Sequence, residues 1–108
     1  MKSIRRGIVK VLPGKMAEAM EIHTRYVTIA EQLGAPPSKS YRSISGRDED
    51  VHTIIYDTEW NSLAELEAFL EKLYVDSRMQ EISIKWDEVV ESHDHSLYTV
   101  LPRVLAVH

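Results

Sequence analysis

Residues 51–73 read VHTIIYDTEWNSLAELEAFLEKL, and within them the period of the apolar side chains changes from two to about 3.6. Val51, Thr53, Ile54, Ile55, Tyr56 and Thr58 are β-branched or aromatic and give a strand with apolar groups on both faces. Trp60 closes that run, and Asn61-Ser62 stops it. Ser62 and Glu65 then stand at capping-box spacing, and Leu63, Leu66, Phe69, Leu70 and Leu73 fall on one helical stripe. A strand running straight into a helix, with neither strand face clearly wet, calls for cover on both sides of its sheet.

The other elements are arranged around this unit. Residues 3–12 (SIRRGIVKVL) predict a first strand ended by Pro13-Gly14. Over 15–33, Met16, Ala19, Met20, His23, Tyr26, Val27, Ala30 and Leu33 recur at three- and four-residue steps, which predicts a helix that Gly34 closes with a left-handed cap. Residues 40–45 (SYRSIS) predict a short polar strand, joined through a turn at 46–50 to the strand of the central unit as a hairpin. Asp76-Ser77 offers a further cap for a helix carrying Met79, Ile82, Trp86, Val89 and Val90. The alternation of Ile82, Ile84 and Trp86 keeps a strand open as the rival reading. His93-Asp94-His95 is expected as a loop, 96–101 as the last strand, and the apolar tail 103–108 as a packing segment.

The resulting order is α+β, a ferredoxin-like βαββαβ with a four-stranded antiparallel sheet and its helices on one face. At 108 residues this is one domain, 1–108. The formal charge of −4, with lysines and arginines scattered, argues against a nucleic-acid partner. No run approaches the length needed to cross a bilayer, so no membrane role is expected. The lack of cysteine removes disulfides, thiolate catalysis and zinc-thiolate sites, and fits a cytoplasmic protein. The sheet face left uncovered by helices is expected to be apolar, and a second copy lying sheet to sheet, a homodimer, is the simplest cover.

The strand ending in Pro13-Gly14-Lys15, the helix closed by Gly34, the sequence Glu59-Trp60-Asn61-Ser62-Leu63-Ala64-Glu65 and the late Lys85-Trp86 resemble the NIPSNAP-like members of the dimeric α+β barrel superfamily. The resemblance spans nearly the whole chain in element order, but its motifs are short and structural. It implies two ferredoxin-like sheets forming a barrel across a homodimer, with a ligand held between sheet and helices or inside the barrel. Members include cofactor-independent monooxygenases, haem-degrading enzymes, polyketide cyclases and isomerases. The histidine that related cyclases carry soon after the second helix has no counterpart in Leu73-Tyr74-Val75-Asp76-Ser77, and neither His23 nor His52 stands in a recognisable haem-ligand context.

Among chemistry-bearing residues, His52 alternates in register with Ile54 and Tyr56, which makes His52 and Tyr56 the candidate catalytic pair, a general base beside a phenol. The structural alternative places Tyr56 under the helices and His52 at the wet end of the hairpin. Tyr41, Tyr74, Trp86 and Tyr98 are candidate walls of a ligand pocket, with Trp60 and Trp86 otherwise the large anchors of the core and the dimer seam. His93-x-His95 has only two of the ligands a metal site needs, so no metal and no cofactor is expected. Asp57 and Glu59 sit where a helix N-terminus stabilises carboxylates without any catalytic role. Arg5, Arg6 and Arg42 are available to an anionic ligand, with surface placement the simpler account.

The expectation is a homodimeric small-molecule-binding protein of the dimeric α+β barrel type. Its catalytic version is a cofactor-independent oxygenase or isomerase on an aromatic or polyketide-like compound. Its alternative is a non-catalytic homodimeric accessory or ligand-sensing module. The residues do not decide between the two.

Overall fold

A computed structural model describes residues 2–46 and 51–102. The elements are β1 (Ser3–Val11), α1 (Met16–Gln32), β2 (Lys39–Arg42), β3 (Thr53–Trp60), α2 (Leu63–Val75), α3 (Ser77–Asp87) and β4 (Val90–Thr99). The expected turn over 47–50 and the expected packing tail 103–108 lie outside the described residues.

The four strands form one sheet in the order β2-β3-β1-β4, every neighbouring pair antiparallel. This is the ferredoxin-like arrangement, with β1 at the centre and the helices covering one face. Trp60 ends β3 by turning inward against Phe69 of α2, ring centroids 5.1 Å apart. Ser62 Oγ then accepts from the Glu65 backbone N–H at 3.2 Å and starts α2. Asp76 stops α2 and caps α3, its carboxylate accepting from the backbone N–H of Arg78 at 2.9 Å. At the end of α1 the Gly34 N–H donates to Glu31 and the Ala35 N–H to Ala30, a Schellman closure that needs the positive φ of Gly34 (+106°).

Burial along β1 alternates strictly, so Ser3, Arg5, Gly7, Val9 and Val11 face the helices while Ile4, Arg6, Ile8 and Lys10 face away. The core gathers Val9, Val11 and Ile54 of the sheet under Ala19, Ile22, Leu66, Phe69, Met79 and Ile82 of the helices. The face without helices is less apolar than expected. Ile4, Ile8 and Ile55 are half-buried there, but its centre is a two-pronged ion pair in which Arg6 donates to Asp57 at 2.8 and 2.9 Å. Arg6 also lies over the ring of Tyr98, 5.6 Å from its centroid.

Two expectations need correction. The helical stripe ends at Asp87 and not at Val90, because Val90 already pairs with Val11. His93-Asp94-His95 is the middle of a ten-residue strand and not a loop. Its Glu, Ser, His and Asp residues have weak strand propensity, but the edge of β1 offers a continuous row of backbone partners, and pairing from Ser3↔Thr99 to Lys10↔Ser92 overrides it.

Candidate functional site

The cross-strand register places Tyr56, Gly7 and His95 side by side across three strands, with His93 two residues along opposite Val9. All four are on the helix-covered face. Gly7 makes this arrangement feasible: a Cβ at that position would lie inside the Tyr56 ring, so the ring can cross β1 only over a residue with no side chain. Having crossed, the phenol reaches β4, where Tyr56 Oη is 2.6 Å from His93 Nε2 and 3.0 Å from His95 Nε2.

The third contact of this group fixes its protons. Trp86 Nε1–H, a donor with no acceptor capacity, points at His93 Nδ1 at 2.9 Å. His93 Nδ1 is therefore unprotonated, and in the neutral ring the proton sits on Nε2 and is donated to Tyr56 Oη. Tyr56, accepting that bond, is free to give its own proton to His95 Nε2. One direction runs through the series, from Trp86 to His93 to Tyr56 to His95.

The electrostatics keep it neutral. Burial, helped by the nearby Arg5 charge, lowers His93 to about 4. His95 is lowered by the same two causes in the same order, and its outer edge is exposed. Burial also lowers His23 and pushes the Tyr56 phenol well above its usual range, so Tyr56 stays protonated. His23, on the inner face of α1, is hydrogen-bonded to Ser40 Oγ at 2.8 Å and packs 5.0 Å from the Tyr56 ring.

These groups form one wall of a pocket of about 210 Å3 between sheet and helices, whose opposite wall is Leu73, Met79, Ile82 and Trp86. Of the candidate catalytic and pocket residues named from sequence, Tyr56, Tyr74 and Trp86 line it. His52 does not: it is exposed beyond the start of β3, and the imidazoles beside the Tyr56 phenol are His93 and His95. Tyr41 borders a separate groove between α1 and β2, and Tyr98 stands on the opposite sheet face over Arg6. Sequence reasoning missed Arg5, His23, Tyr26, His93 and His95 as neighbours of one cavity. The available signal was parity: His93, His95 and Leu97 alternate, and Arg5 is in phase with Val9 and Val11. Among the described residues no group of three or more histidines or carboxylates is arranged to hold a metal ion.

No protein-family model and no curated protein matches the sequence. Solved structures do match in fold. An uncharacterised NIPSNAP domain protein from Burkholderia xenovorans superimposes with a TM-score of 0.79 at 15% identity, over 98% of this chain and 99% of that one. A NIPSNAP family protein from Agrobacterium tumefaciens gives 0.76 at 22% identity, over 95% and 94%. SnoaB, a cofactor-independent oxygenase from Streptomyces nogalater, gives 0.71 at 13% identity, over 95% and 96%. With the element order, the strand order and these superpositions in agreement, the chain has the ferredoxin-like fold that these NIPSNAP proteins share.

Proposed function

We propose that this protein binds a small aromatic or enolisable compound in the pocket beside Tyr56 and moves a proton on it, as an isomerase does or as the anion-forming half of a cofactor-independent oxygenase. The observation that carries this reading is the Tyr56 phenol held between two neutral histidines, with Trp86 setting the tautomer of the first. A buried phenol is a poor base but a well-placed acid and hydrogen-bond donor. It donates to a carbonyl oxygen as that oxygen gains negative charge. When a substrate carbonyl displaces His95 as the acceptor of the Tyr56 O–H, the freed His95 Nε2 lone pair takes the acidic C–H proton while Tyr56, held by the His93 Nε2–H, donates to the developing oxyanion. The His95 imidazolium then gives that proton back at carbon or to solvent. Loss of that C–H proton leaves an electron-rich enolate, a species able to react with dioxygen without a cofactor, and SnoaB, of the same fold, is named a cofactor-independent oxygenase.

A pocket of about 210 Å3 suits one ring better than a fused polyketide, since an enclosed apolar cavity of about 150 Å3 accepts benzene. The chain is proposed to work as a homodimer in the cytoplasm, with Ile4, Ile8, Ile55 and Tyr98 of the helix-free face lying against a second copy. The cysteine-free composition agrees with that compartment, and no helix of the described residues is long and apolar enough to cross a membrane. Light scattering at working concentration tests the dimer, and the mass of a single chain would remove it.

The catalytic reading is tested by incubating the protein with one-ring enolisable carbonyls, phenylacetone and phenylpyruvate, in D2O and following exchange of the acidic C–H by NMR. Exchange above the buffer rate that falls about 10²- to 10⁴-fold in Tyr56→Phe is the expected result. Saturable binding without any catalysed exchange would replace it with the non-catalytic ligand-sensing module.

A further inference from the structure

The pocket holds one formal charge that the proton series does not account for. Arg5 comes from the central strand and is only 7% exposed. Among the described residues its guanidinium makes one hydrogen bond, from Nη1 to Tyr26 Oη, and that bond is long at 3.4 Å. Among the described residues it has no carboxylate partner. The Asp57 carboxylate is taken by Arg6 on the other side of the sheet, and the pocket lining contains no Asp or Glu. The three imidazoles around it are kept neutral, so among the described residues Arg5 is the sole ionised group of a cavity otherwise walled by Trp86, Met79, Ile82, Leu73 and tyrosines.

Buried guanidinium groups are normally paired, because an uncompensated buried charge costs several kcal/mol. The cleft behind Arg5, which Glu31 and the unpartnered Ser38 Oγ also line, has about 10 Å3, room for no more than a water, and Glu31 does not come within ion-pair distance of the guanidinium. A water satisfies one N–H and neutralises nothing. The chain as a whole is negative, at −4, so a lone cation inside it is a local feature and not part of a basic surface.

We infer that Arg5 is an anion-recognition residue, and that the pocket takes a small aromatic carboxylate whose carboxyl group lies on the guanidinium while its ring lies against Trp86 and Met79. This rests on the reading of the pocket as a ligand site and adds the charge of the ligand to it. A planar carboxylate matches the fork of N–H donors left free by Tyr26. It also places the ligand between Arg5 and Tyr56, so that the fixed charge orients the molecule and the phenol meets its reactive part. Neutralising Arg5 removes the largest cause after burial that holds His93 and His95 down, beside the His23 and His93 rings that add to it and the Asp94 carboxylate that opposes it at His93, so binding of the anion and protonation of the two imidazoles favour each other.

The test uses benzoate and its neutral counterpart benzamide, titrated into the full-length protein while NMR follows the Trp86 indole N–H and the His93 and His95 rings. Benzoate is expected to move these signals saturably and to bind roughly tenfold or more tightly than benzamide. It should also raise the titration midpoints of both histidines by about half a pH unit or more. Arg5→Met exchanges an unpaired buried charge for an apolar chain of similar length, and is expected to fold, to raise those midpoints without ligand, and to bind the two probes alike. Equal affinity of the native protein for both probes overturns the anion assignment and leaves the pocket standing as a ligand site. A benzoate preference that survives in Arg5→Met overturns the role of Arg5. Failure of both probes to move the pocket signals overturns this inference and the ligand-site reading together.

Discussion

Gly7→Ala adds one methyl group at the point of β1 where the Tyr56 ring crosses the strand, and the phenolic oxygen itself would be only 2.6 Å from the new carbon. The backbone does not object, since Gly7 is not among the positive-φ glycines Gly14, Gly34 and Gly46. On chain entropy alone the substitution stabilises by roughly 0.4–1 kcal/mol. The ring has to move, however, and Tyr56, 3% exposed, can shift only by giving up the crossing that holds its phenol between His93 and His95. Overpacking of this kind costs about 1–3 kcal/mol, and loss of the bonds to His93 and His95 adds roughly 1 kcal/mol each. The net expectation is destabilisation by about 2–4 kcal/mol. Urea denaturation followed by circular dichroism measures it, and a double-mutant cycle with Tyr56→Val identifies its source. Once the ring is gone the same methyl meets nothing, so Gly7→Ala in the Tyr56→Val background should be neutral or slightly stabilising. The coupling is then about 2 kcal/mol or more. An equal cost of Gly7→Ala in both backgrounds would show that the glycine serves the strand itself and not the passage of Tyr56.

Two further outcomes follow from the proton series. Trp86→Phe keeps the aromatic wall but removes the N–H that holds His93 Nδ1 unprotonated. The 15N shifts of the His93 ring should move towards a mixture of tautomers at a stability cost of about 1–2 kcal/mol, and an unchanged nitrogen pattern would refute the assigned direction. Acid should weaken the fold through His93. Its folded value of about 4 lies below the ordinary value near 6.5, so between those limits the unfolded chain binds more protons and stability falls as pH falls. The whole window is worth about 3 kcal/mol for a fully enclosed ring and nearer 2 kcal/mol for one that is partly solvated. Urea midpoints from pH 7 to pH 4, compared with those of His93→Gln, isolate this from the carboxylates. Parallel curves for the two proteins would refute it.

The architecture was legible because its signals are local and redundant. The strand-to-helix unit at 51–73 carries its own stop, cap and stripe, and Gly34 with the prolines after it closes α1 whatever the tertiary context. The site was much less legible, because its members take their meaning from pairing. His93 and His95 sit in a polar run that reads as a loop until the edge of β1 is present to bond it. His52 is in phase with Tyr56, yet the step from β3 to β4 is made sideways, across Gly7, and no periodicity along β3 contains it. Arg5 and Arg6 look equivalent as neighbours in sequence. The alternation of β1 separates them, sending Arg6 to a carboxylate on the helix-free face and Arg5 beneath the helices.

This division runs along the central strand. In its second half Val9 and Val11 face the helices and behave as core residues, while in its first half the same face carries Ser3, Arg5 and Gly7. A sequence selected for stability alone would have put aliphatic side chains at all five inward positions, since each of these three forgoes apolar burial beneath a helix layer. The more apolar Ile4 and Ile8 instead face away from the helices, onto the face proposed to meet a second copy. Where local preference and the demands of packing disagree along a single strand, a functional constraint is the physical explanation to test first. Gly7 has its account in the crossing of Tyr56. Arg5 has none from within the protein, because no carboxylate of the described residues, Glu31 of the adjoining cleft included, lies within ion-pair distance of it, and that asymmetry singles out the bound partner as the missing half of the arrangement.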